Sequence, residues 1–265
     1  MNIYRADETN VGDWWSPPGR YFPFKPAPIF DILNSEVIPN DNSLYIVGGG
    51  GLGREFFRQH LLNLTKRRDK KYKLIAWGVG SDLYENREGI VNADEDQNLL
   101  GDFFEGFEEI GTRIWYSQEQ LNCKWVPCAS CLYPGFYSYR DKKPKNRIGF
   151  YFHKRVPMNF KTDSYLTMSN NGNNIDEKLN FISDHEYIVT NTYHGVYWAT
   201  LLNRKVLCLP FKSGLYTFKH RPHYLESFPT DSDLELAKNY PDALDDCRNA
   251  NIEYYLYLVN KYGAF

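Results

Sequence analysis

The sequence predicts an α/β fold in which parallel strands alternate with helices in two successive series. Three observations predict it. Short runs rich in β-branched and aromatic residues alternate with stretches of helical periodicity, the pattern of βαβ units. Two successive strand-like runs end in glycine-rich turns, at 48–53 and 78–80, and ligands of open parallel sheets sit beyond such strand ends. A charged, proline-bearing stretch from Arg140 to Arg147 then reads as a linker between domains 1–145 and 146–265.

In order, Asn2–Arg5 reads as a first strand, followed by a long irregular stretch punctuated by Gly12, Pro17, Pro18, Gly19, Pro23, Pro26 and Pro28. Loops of that length are functional or mobile. Leu44–Val47 is a second strand, and Arg54–Leu64 a helix with Phe57, Leu61 and Leu64 on one face. Leu74–Trp77 is a third strand. The chain from 84 to 146 is less regular, with a short helix expected over Phe103–Ile110 and strands over Arg113–Tyr116 and Lys124–Val126. The second series has strands at Ile148–Phe152, Tyr165–Met168, Tyr187–Val189 and Val206–Leu209. Helices are expected at Ile175–Ile182, Thr192–Leu202, Leu234–Tyr240 and Ile252–Tyr262.

Composition narrows the function. A net charge of −2 provides no basic field for nucleic acid. No apolar run approaches the roughly 20 residues that span a bilayer, and Met1 to Asp7 has no secretory apolar region. A cytoplasmic protein without a nucleic-acid partner or an integral membrane segment is expected. Five cysteines, an odd number without a regular framework, argue against a disulfide scaffold. Cys128-Ala129-Ser130-Cys131 is a CxxC with Cys123 just before it, but a zinc site needs about four ligands and no second CxxC or HxxxH pair supplies them. Buried free thiols are therefore expected, and neither metal nor cofactor. The 21 Tyr and 6 Trp suit carbohydrate surfaces as well as a core, so composition permits glycan binding without demonstrating it.

The sharpest chemical signal is the strand-to-helix junction Val189-Thr190-Asn191-Thr192-Tyr193-His194-Gly195. Its Thr and Asn residues are good N-caps, and the free N–H groups of the helix start favour an anion. His194 in the first turn can donate a proton or a hydrogen bond, and Gly195 admits a ligand or neighbouring backbone. A histidine that merely packs at the helix start is the plainer alternative. The loop after the next strand, Phe211 to His223, carries Lys212, Lys219 and Arg221 and should emerge on the same edge; a solvated basic loop is its alternative. Gly48 to Gly53 lacks the Lys-Ser/Thr ending of a nucleotide P-loop, and a tight turn explains it equally well. Asn10-Val11-Gly12-Asp13 follows the first strand, and Asp13 is either a general base or a turn former.

Taken together, these motifs resemble the polysaccharide pyruvyl transferase family. The resemblance rests on Asn10-Val11-Gly12-Asp13, the turn Gly48 to Gly51, Trp77-Gly78-Val79-Gly80, His194 with Ala199 downstream, Lys212 and Phe218, in the family's order over most of the chain. It implies two Rossmann-like domains facing a cleft, an architecture like that of GT-B glycosyltransferases. It implies phosphoenolpyruvate as donor and a sugar diol as glycan acceptor, giving a cyclic pyruvate ketal. By the resemblance and the loop positions, His194 and Asp13 are the catalytic candidates. Thr192, Tyr193, Gly195, Lys212, Lys219 and Arg221 are the donor-binding candidates, and Asn10, Gly12, Gly49, Gly50, Gly78 and Gly80 line the acceptor side. Two features depart from the pattern: Thr192 stands where the family has an arginine, and the middle segment is short. Arg140, Arg147, Lys154, Arg155, Lys219 or Arg221 are the candidates to replace the missing cation. Two other readings stay open, a GT-B-type glycosyltransferase that takes a nucleotide sugar, and a non-enzymatic glycan-binding module built on Trp14-Trp15 and the aromatics of 216–224.

Overall fold

A computed structural model describes residues 2–24, 29–41, 43–81, 104–115, 122–156, 158, 162 and 164–263. They form two parallel sheets, as expected for Rossmann-like units. The first holds β1 (Asn2–Tyr4), β2 (Ile29–Asp31), β3 (Leu44–Gly48), β4 (Lys73–Val79), β5 (Glu109–Thr112) and β6 (Lys124–Trp125), in the order β2-β1-β3-β4-β5-β6. The second holds β7 (Asn146–Phe152), β8 (Leu166–Ser169), β9 (His185–Thr190), β10 (Lys205–Cys208) and β11 (His223–Tyr224), in the order β8-β7-β9-β10-β11. In each sheet the second strand lies outside the first and the third lies on its other side. The winding therefore reverses beside the first strand, between β1 and β3 and between β7 and β9. Such switch points open a crevice at the carboxyl ends of the strands.

Both faces of both sheets are covered, which explains why the strands read as continuous apolar runs. Tyr45, Val47, Leu74 and Ala76 pack against Phe57, Leu61 and Leu64 of α2 (Glu55–Thr65). Ile46, Ile75 and Trp77 point the other way and meet Tyr254 and Leu258 of the terminal helix. In the second sheet, Ile188, Val206 and Cys208 share a core with α4 (Ile175–Ser183) and α5 (Tyr193–Leu201). Phe150, Val189 and Leu207 share another with Leu234 of α6 (Asp231–Leu236). The two remaining short helices are α1 (Val11–Trp15) and α3 (Phe136–Arg140). Among the described residues, no helix is long and apolar enough to cross a membrane.

Several local expectations change. The stretch before β3, read as irregular, contains α1 and the edge strand β2. The helix expected over Phe103–Ile110 begins outside the described residues. Within them, Glu109–Thr112 is strand β5, because the edge of β4 offers it a parallel partner. Phe104 is helical, as expected, but the helix ends there, and Phe107 and Ile110 reach the same core from the following connection and from β5. The strand expected at Arg113–Tyr116 therefore ends at Thr112, and Arg113 becomes a strand-end residue. Arg140 to Arg147 joins α3 to β7 through a short turn, held where Lys142 and Lys145 pair with Asp184 at 2.7 and 3.4 Å. Cys128, Cys131 and Phe136, on the first side of the expected boundary, pack into the core of the second sheet.

The last helix, α7 (Ala243–Tyr262), begins nine residues before the Ile252 start expected from the sequence. Its acidic first turn and Lys261 in its last suit the helix dipole. Leu244 and Cys247 bury in the second core, Tyr254 and Leu258 on the first sheet. Between them sits Asn251, which is fully buried. It accepts from the Trp77 indole N–H at 2.8 Å and donates to the Pro127 and Cys247 carbonyls at 3.2 and 2.9 Å. Replacing Asn251 with leucine strands the indole donor and the Pro127 carbonyl in an apolar setting. Asn251→Leu should cost about 1–3 kcal/mol, read as a lower denaturant midpoint in an equilibrium unfolding experiment.

Candidate active site

The two switch points face one another across a cleft of about 360 Å³. From the first sheet, the loop after β1 contributes Arg5, Asp7 and Asn10, α1 contributes Asp13, and the segment after β3 contributes Gly51, Arg54, Phe56 and Phe57. Arg113 enters from the end of β5. From the second sheet, His153, Lys154 and Arg155 follow β7, Asn191 to His194 follow β9, and Phe211 and Lys212 follow β10. The walls are tied together by backbone and side-chain bonds. Val11 N–H donates to the Asn170 carbonyl at 3.1 Å, and Asn10 bridges Asn171 in antiparallel fashion. Lys154 pairs with Asp7 at 3.4 Å and donates to the Thr9 carbonyl at 2.5 Å.

His194 sits where the junction motif predicts, in the first turn of α5. Thr192 is the N-cap, its hydroxyl accepting from Gly195 N–H at 2.8 Å. The amides of Tyr193 and His194, at the helix start, have no partner within the helix. Gly195 leaves room for this cap: a Cβ there would lie 2.2 Å from the Thr190 hydroxyl and 2.5 Å from that of Thr192. The imidazole is buried, with Nε2 3.4 Å from Cys128 Sγ. Its other nitrogen abuts Gly12, where a Cβ would come within 2.0 Å of Nδ1. Gly12 is thus the space in which the ring sits. Tyr193 stacks on Phe218 with centroids 4.7 Å apart and carries the Arg113 guanidinium 3.5 Å from its centroid.

The glycine turns make room for charged side chains. Gly49 and Gly50 have φ of 88° and 80°, a left-handed geometry that glycine adopts without strain. Cβ atoms on them would meet Ser16 Oγ at 2.5 Å and the Asp13 carboxylate at 3.0 Å. One on Gly80 would lie 2.0 Å from Arg113 Nε. Gly78 instead turns the chain beside Pro127; of the acceptor-side candidates only Asn10 lines the cleft directly, while Gly12, Gly49, Gly50, Gly78 and Gly80 do not. Asp13 accepts from Asn10 Nδ2 at 2.7 Å.

Charge dominates the lining. Six cationic side chains, Arg5, Arg54, Arg113, Lys154, Arg155 and Lys212, stand against two carboxylates, Asp7 and Asp13. Burial, then Arg113 and Lys212, push the His194 imidazole well below its ordinary pKa, so it rests neutral. Burial, then Lys212, Arg54, Lys154 and Arg155, lower His153 to about 4. Asp13 as a residue keeps some exposure, but desolvation of its enclosed carboxyl outweighs Arg54, Arg113 and Lys212 and raises its pKa. The excess of cations over carboxylates leaves the cleft electropositive.

Not every sequence candidate reaches this cleft. Lys219 pairs with Asp246 at 2.7 Å and lies near the rings of Trp115 and Trp125, behind Tyr193. Arg221 accepts from Tyr240 through its carbonyl and does not line the cleft. Of the cations considered as replacements for the arginine missing at Thr192, Lys154 and Arg155 are at the cleft. Arg140 bonds the Pro241 carbonyl, and Arg147 pairs with Asp231. Arg54, Arg113, Arg5, Asp7 and His153 were not singled out by sequence. Arg113 was hidden by the misplaced strand; a strand ending at Thr112 would have put it at the crevice. All five cysteines are free and buried. Two Asp-x-Asp triplets occur, at 94–96 and 231–233. The first lies outside the described residues, and the second starts α6, with Asp233 bonded to His223 at 2.8 Å.

The family model described as polysaccharide pyruvyl transferase matches residues 2–213, a span that includes every residue lining the cleft. The chain belongs to the polysaccharide pyruvyl transferase family. It is therefore a transferase that modifies a glycan. No curated protein matches it. A solved structure of a functionally uncharacterised protein from Klebsiella pneumoniae is similar over 79% of this chain and 83% of its own, at 19% identity. Its TM-score of 0.44 is too low to carry an argument.

The contact between Gly12 and His194 makes a direct prediction for this transferase. A methyl group at Gly12 must displace the imidazole, and misplacing a reacting group by about 1 Å costs roughly 10²-fold. Gly12→Ala should lower the transfer rate by ten- to a hundredfold while circular dichroism shows the fold retained.

Proposed function

We propose that the protein transfers a pyruvyl group from phosphoenolpyruvate to a sugar, with the donor in the cation-lined half of the cleft. The observation that carries this reading is the excess of cationic side chains beside a helix start and a neutral histidine. Phosphoenolpyruvate brings a phosphate and a carboxylate on three carbons, and both need cations. The cleft volume is near the lower end of small-molecule sites, about 300–1,000 Å³. That suits a three-carbon donor beside one sugar ring better than a nucleotide sugar.

In this reading Lys212, Arg113, Arg155 and the start of α5 hold the donor's anionic groups and stabilise charge in the transition state. The acceptor sugar lies toward the first domain, 1–145, where Asp7 can accept from hydroxyls. There Phe56, 72% exposed at the cleft, can cover a sugar face. The second domain, 146–265, takes the donor, in a GT-B-like arrangement. Asp13, with its raised pKa, removes the proton of the attacking hydroxyl. That oxygen bonds to C2 of the donor as C3 takes up the proton Asp13 has received. The second hydroxyl then bonds to C2 as the C2–O bond to phosphate breaks, its proton passing to the Asp13 carboxylate, and inorganic phosphate leaves as the ketal closes.

Titration calorimetry should show phosphoenolpyruvate binding, weakened by Lys212→Met and Arg113→Met, and His194→Ala should abolish phosphate release with a glycan acceptor. Because cations help depress His153, an anion that neutralises them must raise its pKa. The ring resonances of His153 should titrate near 4 in the free protein and at higher pH with the donor bound. Stabilisation by UDP-, GDP- or CMP-sugars in a thermal-shift panel, with none by phosphoenolpyruvate, would overturn the reading in favour of glycosyl transfer.

A further inference from the structure

Behind His194 lies a short chain of buried polar groups. The Trp198 indole Nε1 is 3.0 Å from Ser130 Oγ, Ser130 Oγ is 3.2 Å from Cys128 Sγ, and Cys128 Sγ is 3.4 Å from His194 Nε2. Trp198, Ser130 and Cys128 are all 0% exposed, so water does not compete for these bonds. The residues come from the CxxC segment after β6 and from α5, one turn beyond His194.

The direction of the chain follows from the chemistry of its first member. An indole N–H can only donate, so Ser130 Oγ accepts from Trp198. The Ser130 hydroxyl proton then has Cys128 Sγ as its partner among the described residues. A thiol sulfur can accept twice, but if Sγ accepted from His194 as well, the thiol proton would be left without a partner among the described residues. The arrangement that places every proton has Sγ accepting from Ser130 and donating to His194 Nε2. A nitrogen that accepts cannot carry the proton of a neutral imidazole, so that proton must reside on Nδ1.

We propose that Cys128, Ser130 and Trp198 form a positioning relay that holds His194 as the Nδ1–H tautomer. Neutral histidine needs such a device, because either nitrogen can carry its proton and only one arrangement serves a given task. The relay turns Nδ1–H toward Gly12 of α1, the helix that also carries Asp13. His194 lines the cleft, and with Nε2 accepting from Cys128 and Nδ1 protonated the ring has no basic nitrogen left to act as a base there. Burial and the neighbouring cations keep the ring neutral, and the relay decides which neutral form it takes. The functional meaning of this tautomer rests on the donor-site reading above; its existence does not.

The test reads the ring nitrogens directly. Two-bond nitrogen–proton correlation spectra of the full-length protein without substrate report which nitrogen of each histidine is protonated, with His194→Asn identifying the His194 signals. The relay requires the His194 proton on Nδ1 in the wild type. Cys128→Ala should move the population to Nε2–H and lower the transfer rate on the order of tenfold, the effect of one lost hydrogen bond. Cys128→Ser keeps a donor at that place and should restore both. A wild-type spectrum with the proton on Nε2 would overturn the relay, whether or not the variants fold, and so would a tautomer that Cys128→Ala leaves unmoved. If the tautomer is confirmed but phosphoenolpyruvate is not a donor, the relay stands and the functional reading fails.

Discussion

The cleft gathers Arg5, Arg54, Arg113, Lys154, Arg155 and Lys212 around only two carboxylates, and like charges brought together must be held by something other than each other. Two rows of strand ends supply the restraint. Arg5 is paired with Asp31 on the neighbouring strand, Lys154 with Asp7, and Arg113 is laid on the ring of Tyr193. These three charges are anchored to rigid elements of the two sheets. The depressed pKa values of His153 and His194 follow from burial first and from this crowding second. A bound anion would offset the part of this that comes from the cations, which is the physical basis of the donor-site proposal.

The same restraint explains the glycines. Gly12 leaves the space for an imidazole, Gly80 for a guanidinium, and Gly50 for a carboxylate. These are close approaches between elements far apart in the chain, and a methyl group at any of them would move a charged or reactive side chain. The strands before and after them are ordinary; the functional demand is met by removing side chains where others must fit. The terminal helix completes the arrangement, burying Leu244 in the core of the second sheet and Tyr254 on the first. It links the two walls by apolar contact on the side of the first sheet that α2 leaves open.

Much of this was legible in advance. The junction at Thr192 to Gly195 was readable because capping chemistry is local, and the N-cap bond from Gly195 to Thr192 spans only three residues. Lys212 was readable because a βα connection returns successive strand ends to one edge. Arg113 was not, because the spacing of Phe104, Phe107 and Ile110 imitates a helix, and the edge of β4 overrides it. Lys219 was misleading for a similar reason: its loop emerges on the right edge, but Asp246 from the distant terminal helix draws it to the far side of Tyr193.

By itself the sequence determined the α/β class, most strands and helices, the helix start that carries His194 and the family to which its ordered motifs belong. Those features depend on periodicity, capping and turn chemistry, which act over a few residues. Only the tertiary structure decided which cations share the cleft, why Gly12 must be glycine, and that Cys128, read as a bare thiol, lies against the catalytic candidate. Such facts depend on contacts between Cys128 and His194, Gly12 and His194, or Gly80 and Arg113. Short-range preferences carry no information about them, because packing brings those residues together only after both sheets have formed.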